Sequence, residues 1–335
     1  MRLRKGAKIA LCFIIIGILF SVILFNKDKI KSSFSKKEEV KEVKNKEENI
    51  ENNKEEEEQL LKQQKYEECM SKPYKMDSLD EEFNNLFNSY EGRNLAISFN
   101  DVKNDYTYYL NKDKAYYSGC TVKIFMTIYL LEQAREGKID LHSTFTYLPE
   151  DQHAFSDYMD KHQFYEEIPI VDLIRYWMSI SDNAAYFVAI RSVGAETINA
   201  YFRDKYNIYL PFTNKHPFVS NYTSDLADKS LKILYKVLEV DDEYSKLVKD
   251  AMYNDVENGF TLDGVRMMHK YGEYDVFHND IGIYEGEYPY LISVLTTDAH
   301  NDYIGVISGV HRDIRNIYLK NIESKKEYCE GYKNE

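Results

Sequence analysis

The 335-residue chain is poor in the residues that several function classes need. Its 43 Lys and Arg are outnumbered by 56 Asp and Glu, giving a formal net charge of −13. The folded part carries no basic stripe, which argues against nucleic acid and against an anionic lipid surface as its partner. The 8 histidines are scattered, no H-x-x-x-H or C-x-x-C spacing occurs, and the densest acidic runs fall where no core can form. No metal site and no cofactor are expected. Four cysteines, one of them inside an apolar run, are too few to define a disulfide framework. There is no internal repeat.

What is present begins with Ile9 to Phe25, IALCFIIIGILFSVILF, a run without a charge near the lower limit for crossing a bilayer as a helix. Arg2, Arg4, Lys5 and Lys8 precede it and should stay in the cytoplasm while the rest crosses. The run is followed by Asn26, Lys27 and Asp28 rather than a small-x-small cleavage site, so it reads as an uncleaved anchor. Cys12, inside the run, reads as a membrane-facing residue, badly placed for lipid attachment. From Lys27 to about Lys65 the chain is mostly Lys, Glu, Asn and Gln, which forms either a solvated tether or a lone helix. The expected organisation is therefore a cytoplasmic tail (1–8), an anchor (9–25), a charged tether (26–69) and one globular domain (70–335) outside the cytoplasm at the cell membrane.

In that domain LAISFN (Leu95–Asn100) and YTYYL (Tyr106–Leu110) predict a hairpin. Helices are predicted over Thr121–Glu136, closed by Gly137, and over Ile170–Met178, Ala184–Val193, Ala195–Lys205, Ser224–Leu238 and Glu243–Tyr253. Strands resume at Val265–Lys270, Phe277–Tyr284 and Tyr290–Thr297, and Ile304–Leu319 predicts a last helix. Strands, a helical block, strands and a helix make an α+β fold, with an antiparallel sheet built from both chain ends. Cys69 and Cys329 lie near the two ends of the domain. They either pair in an oxidising compartment or stay free thiols.

Three clusters carry chemistry. Cys120-Thr121-Val122-Lys123 stands at a helix start, where free N–H groups and an ammonium one turn on both favour a thiolate. A buried inert cysteine beside a solvated lysine is the competing reading. Ser181-Asp182-Asn183 falls at a polar turn between helices, and His269-Lys270-Tyr271-Gly272 comes at a strand end, ahead of His278-Asn279-Asp280-Ile281-Gly282.

In order and spacing, C-T-V-K, S-D-N and K-Y-G resemble the S-x-x-K, S-D-N and K-T-G signature of class A β-lactamases and penicillin-binding proteins, the serine β-lactamase-like superfamily. EQAREGKIDLHSTFTYLPED and NDIGI extend the likeness over most of Leu95–Leu319. The resemblance implies a β-lactamase/transpeptidase-like fold and a catalytic set: Cys120 in place of the nucleophilic serine, Lys123 activating it, Ser181 relaying a proton, and Lys270 as a cation for Ser181 and a substrate carboxylate. It further implies substrate contacts from Asn183, Tyr271, Gly272 and Glu273, with the N–H groups of Cys120 and Glu273 as oxyanion hole.

Three departures stand out. Sulfur replaces oxygen, Tyr271 replaces the threonine, and Glu273 brings a carboxylate that would repel a substrate carboxylate if it points into the site. In addition, no glutamate occurs between Asp204 and Tyr222 to drive water onto an acyl-enzyme, and His216 there reads as an ordinary loop residue. The expected activity is acyl transfer on a cell-wall-type peptide or amide. The alternatives are a binding protein without catalysis and a β-lactam-hydrolysing enzyme.

Overall fold

The strand segments alternate or run apolar for five to eight residues, as a sheet covered on both faces requires. The computed structural model describes residues 57–253, 259–297 and 302–332. The expected cytoplasmic tail and anchor, and the charged stretch as far as residue 56, lie outside the described residues. Among the described residues no helix is long and apolar enough to cross a membrane. Residues 57–71 are helical, and a compact unit begins at Tyr66.

Helix α1 (Leu79–Ser89) precedes the hairpin β1 (Leu95–Asp101) and β2 (Tyr106–Leu110). A 3-10 turn (Gly119–Val122) then leads into α2 (Lys123–Arg135), and β3 (Thr144–Thr146) and β4 (Glu167–Pro169) form a small ribbon. Helices α3 (Ile170–Ser179), α4 (Asn183–Val193), α5 (Ala195–Tyr206), α6 (Ser224–Leu238) and α7 (Glu243–Tyr253) complete the block. Strands β5 (Met268–Tyr274), β6 (Phe277–Tyr284) and β7 (Tyr290–Thr296) and helix α8 (Tyr303–Tyr332) follow. The main sheet runs β2-β1-β7-β6-β5, antiparallel throughout, so the last strand lies beside the first, Leu95 opposite Thr296. It is an α+β fold with an antiparallel sheet drawn from both ends of the sequence, as expected.

One sheet face, with Ala96, Met268, Ile281, Leu291 and Leu295, packs on the helical block. The other, with Leu95, Ile97, Phe99, Ile292 and Val294, is covered by α1 and α8. Helix α1 presents Leu79, Phe83 and Phe87, one per turn, to that second core. Cys69 and Cys329 are joined by a disulfide, their Cα atoms 5.6 Å apart, tying the entry of the unit to the end of α8.

Several expectations need correction. The first late strand runs from Met268 to Tyr274 rather than from Val265 to Lys270, so Lys270-Tyr271-Gly272 lies in mid-strand, not at its end. The first long helix is preceded by the 3-10 turn and begins as α-helix only at Lys123. The last helix is longer than Ile304–Leu319, because Ile322 and Cys329 continue its buried side. Helix α1 and the β3–β4 ribbon were not anticipated, their apolar residues being too few to stand out.

Candidate active site

Edge strand β5 fixes one wall of the site. Side chains alternate across a strand, so Met268, Lys270, Gly272 and Tyr274 face the helical block, while His269, Tyr271 and Glu273 face α8. Gly272 is pressed onto the 3-10 turn: a Cβ there would lie 2.7 Å from the Cys120 nitrogen and 2.8 Å from that of Thr121. Gly119 meets it from the other side at φ +52°, and a Cβ on it would come within 2.8 Å of the Glu273 nitrogen. Only two glycines allow these backbones to touch. The contact brings the N–H groups of Cys120 and Glu273 onto facing segments. Tyr274 and Phe277 close a two-residue turn, so the register puts Glu273 among the residues whose N–H points to the free edge.

The turn is held from a second direction. Ser118 N–H donates to the Val219 carbonyl (2.8 Å), Val219 N–H donates to Ser118 Oγ (3.0 Å), and Tyr116 and Tyr222 exchange backbone bonds. Asn279 on β6 donates through Nδ2 to the carbonyls of Tyr117 (2.7 Å) and Ser118 (3.2 Å). Thus the Cys120 loop is clamped between the sheet and residues 219–222.

The other wall is helical. Cys120 is half-buried, its Sγ 3.7 Å from Asn183 Oδ1. Lys123 is wholly buried and sends Nζ to the Ser181 carbonyl (2.6 Å), Asn183 Oδ1 (2.7 Å) and, longer, the Asp182 carbonyl (3.3 Å), with the Tyr186 ring 5.6 Å away. Burial disfavours its ammonium and lowers its pKa; the nearby Lys270 adds to this, while the Cys120 sulfur opposes it. The three acceptors match the three donors of an ammonium; as a neutral amine Lys123 would keep the two short bonds and turn a lone pair toward the thiol.

Ser181 adopts φ +57° at the turn between α3 and α4, and its hydroxyl engages no other described residue. Asp182 caps α4, accepting from Ala185 N–H (2.8 Å) and from the N–H groups of Tyr158 and Met159. Burial raises its pKa against those three bonds. Asn183 Nδ2 donates to the Ala154 carbonyl (2.9 Å), so both ends of that amide are engaged.

Cys120, Lys123, Ser181 and Asn183 are therefore gathered in one place, with Lys270, wholly buried, and Gly272 against them. Tyr271 and Glu273 belong elsewhere in part. The Tyr271 hydroxyl lies 2.8 Å from His278 Nδ1 and 3.2 Å from Glu273 Oε2, and its ring stacks 5.1 Å from Tyr303, which also stacks on His278 at 4.7 Å. Burial, with the Glu273 carboxylate next, holds the Tyr271 phenol well above the tyrosine range. Glu273 is exposed on the rim. His216 is exposed on its loop. Among the described residues no group of His, Cys, Asp or Glu is arranged to hold a metal.

Sequence reasoning passed over Tyr117 and Phe218. Tyr117 is half-buried near Cys120, its phenol pushed up to about 12 by burial and by the neighbouring Tyr274 and Cys120. Phe218 stands 6.0 Å from its ring. The Y-S-G-C string was the available signal, since a glycine just before a helix-start cysteine marks a close backbone approach.

Solved structures share this fold over almost their whole length. An ancestral class A β-lactamase, that of the last common ancestor of Gram-negative bacteria, aligns with TM-score 0.58 at 19% identity, covering 71% of this chain and 99% of that one. The TLA-3 extended-spectrum β-lactamase aligns with TM-score 0.61 at 18% identity over 72% and 98%. PBP-A aligns with TM-score 0.61 at 15% identity over 74% and 98%. At such identities the likeness is one of fold. No curated protein matches the chain. The family model described as the Beta-lactamase enzyme family matches residues 78–317, well over half of the sequence, and the chain belongs to that family.

Proposed function

We propose that this protein is a membrane-anchored extracytoplasmic acyl-transfer enzyme that uses Cys120 as nucleophile on a cell-wall-type peptide or amide. The observation that carries the proposal is the buried Lys123, held by Ser181 and Asn183 beside a half-buried thiol whose own backbone abuts Gly272 and Glu273. Lys123 takes the thiol proton as Sγ attacks the carbonyl carbon. The oxyanion is met by the N–H groups of Cys120 and Glu273. The C–N bond then breaks, the Ser181 hydroxyl passes the proton to the leaving amine, and an acyl thioester remains on Cys120. An acceptor amine attacks the thioester, forms a new amide and returns the thiol.

Residues 207–222 support transfer over hydrolysis. They turn Phe218 and the Pro217 carbonyl inward, the latter accepting from Tyr186 at 3.1 Å, and present no carboxylate to drive water. The disulfide suits an oxidising compartment, and the Ile9–Phe25 run with its basic flank suits an anchor. A second reading, a binding protein without catalysis, is favoured by Asn183, whose amide is engaged at both ends by protein groups.

The test is intact mass of the full-length protein after incubation with a penicillin and, separately, with an acyl-D-alanyl-D-alanine thioester. An adduct that vanishes in Cys120→Ala is expected, and its lifetime distinguishes a slow transferase from a β-lactamase. An adduct that forms only in Cys120→Ser would mean that the cleft persists with its nucleophile disarmed. No adduct in either protein would leave the binding-protein reading.

A further inference from the structure

Along β5 the cleft-facing residues form a sequence of environments. Lys270 lies deep, wholly buried and two residues inward of Gly272. Gly272 touches Cys120, and Tyr274 comes two residues further out, roughly 7 Å along the strand. The proton relay and Tyr274 are thus on opposite sides of the nucleophile. Tyr274 is 58% exposed, yet its ring lies 4.4 Å from that of Tyr117. Tyr117 in turn lies 6.0 Å from Phe218 and 6.3 Å from Phe277, and Phe218 lies 6.3 Å from Phe187.

These rings come from the nucleophile's loop, the β5–β6 hairpin, residues 207–222 and α4, and none of the five is fully buried. Neither the Tyr117 nor the Tyr274 hydroxyl bonds another described residue. Aromatic faces left open beside a nucleophile remain available to a planar or apolar partner.

On the reading of Cys120 as nucleophile, we infer that this wall is the subsite for the acyl half of the substrate, and that it selects an acyl group carrying an aromatic ring or a bulky apolar side chain close to the carbonyl. The leaving amine departs toward Ser181, on the far side. The acyl group stays on Cys120 after the first step, so the wall also covers the thioester from water until an amine arrives.

The experiment compares phenylacetyl and acetyl thioesters of one leaving thiol as acylating agents of the full-length protein, following the Cys120 adduct by mass. The phenylacetyl reagent should label about tenfold faster or more, the range for filling an apolar pocket. In Tyr274→Ser and in Phe218→Ala that ratio should fall toward one. Equal rates in the native protein, or a ratio unmoved by both substitutions, would overturn the inference. Should neither reagent label Cys120, the nucleophile reading fails by itself. The wall is then judged by calorimetric binding of N-benzyl phenylacetamide against N-benzyl acetamide to Cys120→Ala: tighter binding of the former, lost on adding Tyr274→Ser, supports the subsite, and equal binding overturns it.

Discussion

The helical wall of the cleft and its strand wall have been treated differently. On the helical side the buried Lys123 holds the Ser181 carbonyl and Asn183 Oδ1 through short bonds, with Cys120 Sγ 3.7 Å from the same Oδ1, and the departure from the serine-based triplets is one atom, sulfur for oxygen. On the strand side Lys270 and Gly272 keep their places, while Tyr271 and Glu273 are drawn into a cluster with His278 and Tyr303. The groups proposed to move protons and those proposed to recognise a substrate thus sit on separate elements, and one set can change without the other. A cleft that had drifted into pure binding has no need of a desolvated lysine, since burying an unused amine is costly.

The largest effect is expected where that difference is most direct, at Lys123. Lys123→Met should slow acylation of Cys120 by about 10²- to 10⁴-fold, the usual contribution of a positioned base, in stopped-time mass spectrometry on protein whose circular dichroism is native. The pH profile sharpens the point. The neutral amine is the acceptor and burial lowers its pKa, so acylation should rise with pH and reach half-maximum below lysine's ordinary 10.5. Removing the neighbouring cation in Lys270→Gln should move that midpoint upward. A midpoint that stays put would separate Lys123 from the proton transfer.

A perturbation remote from both walls distinguishes loss of fold from loss of chemistry. The disulfide between Cys69 and Cys329 closes a loop with a sequence separation of 260. The double substitution to serine should lower unfolding free energy by about 2–5 kcal/mol, read from urea titrations, through the entropy regained by the unfolded chain. Acylation per folded molecule should not change, as neither sulfur approaches the cleft. Coupled loss of both would show that the α8 side of the sheet controls the site.

What could be read in the sequence followed from period and order. The hairpin at Leu95, helices such as Ser224–Leu238 and the strands around Ile281 and Ile292 show repeating apolar positions, and three motifs in order implied both the fold and the residues that meet in the cleft. The contacts between segments were hidden. Nothing local says that Gly119 and Gly272 touch, that Asn279 pins Tyr117, or that Phe218 meets the Tyr117 ring, because each depends on pairing between residues about a hundred or more positions apart. The face taken by Tyr271 was equally hidden. A strand end placed at Lys270 instead of Tyr274 leaves the motif at a strand end, where alternation is not defined.

Glu273 offers the smallest effect and the sharpest test of the strand wall. Its carboxylate is exposed and accepts from the Tyr271 phenol, whose oxygen lies 2.8 Å from His278 Nδ1. Two like charges about 8 Å apart interact by roughly 0.5–2 kcal/mol between effective dielectrics of 80 and 20. Glu273→Gln should therefore raise acylation by a carboxylate-bearing acyl-D-alanyl thioester by several-fold to about tenfold relative to its methyl ester. The gain should shrink in high salt, because the group stands in solvent. An unchanged ratio would mean that Glu273 serves only its cluster with Tyr271 and that something else on the strand wall chooses the substrate.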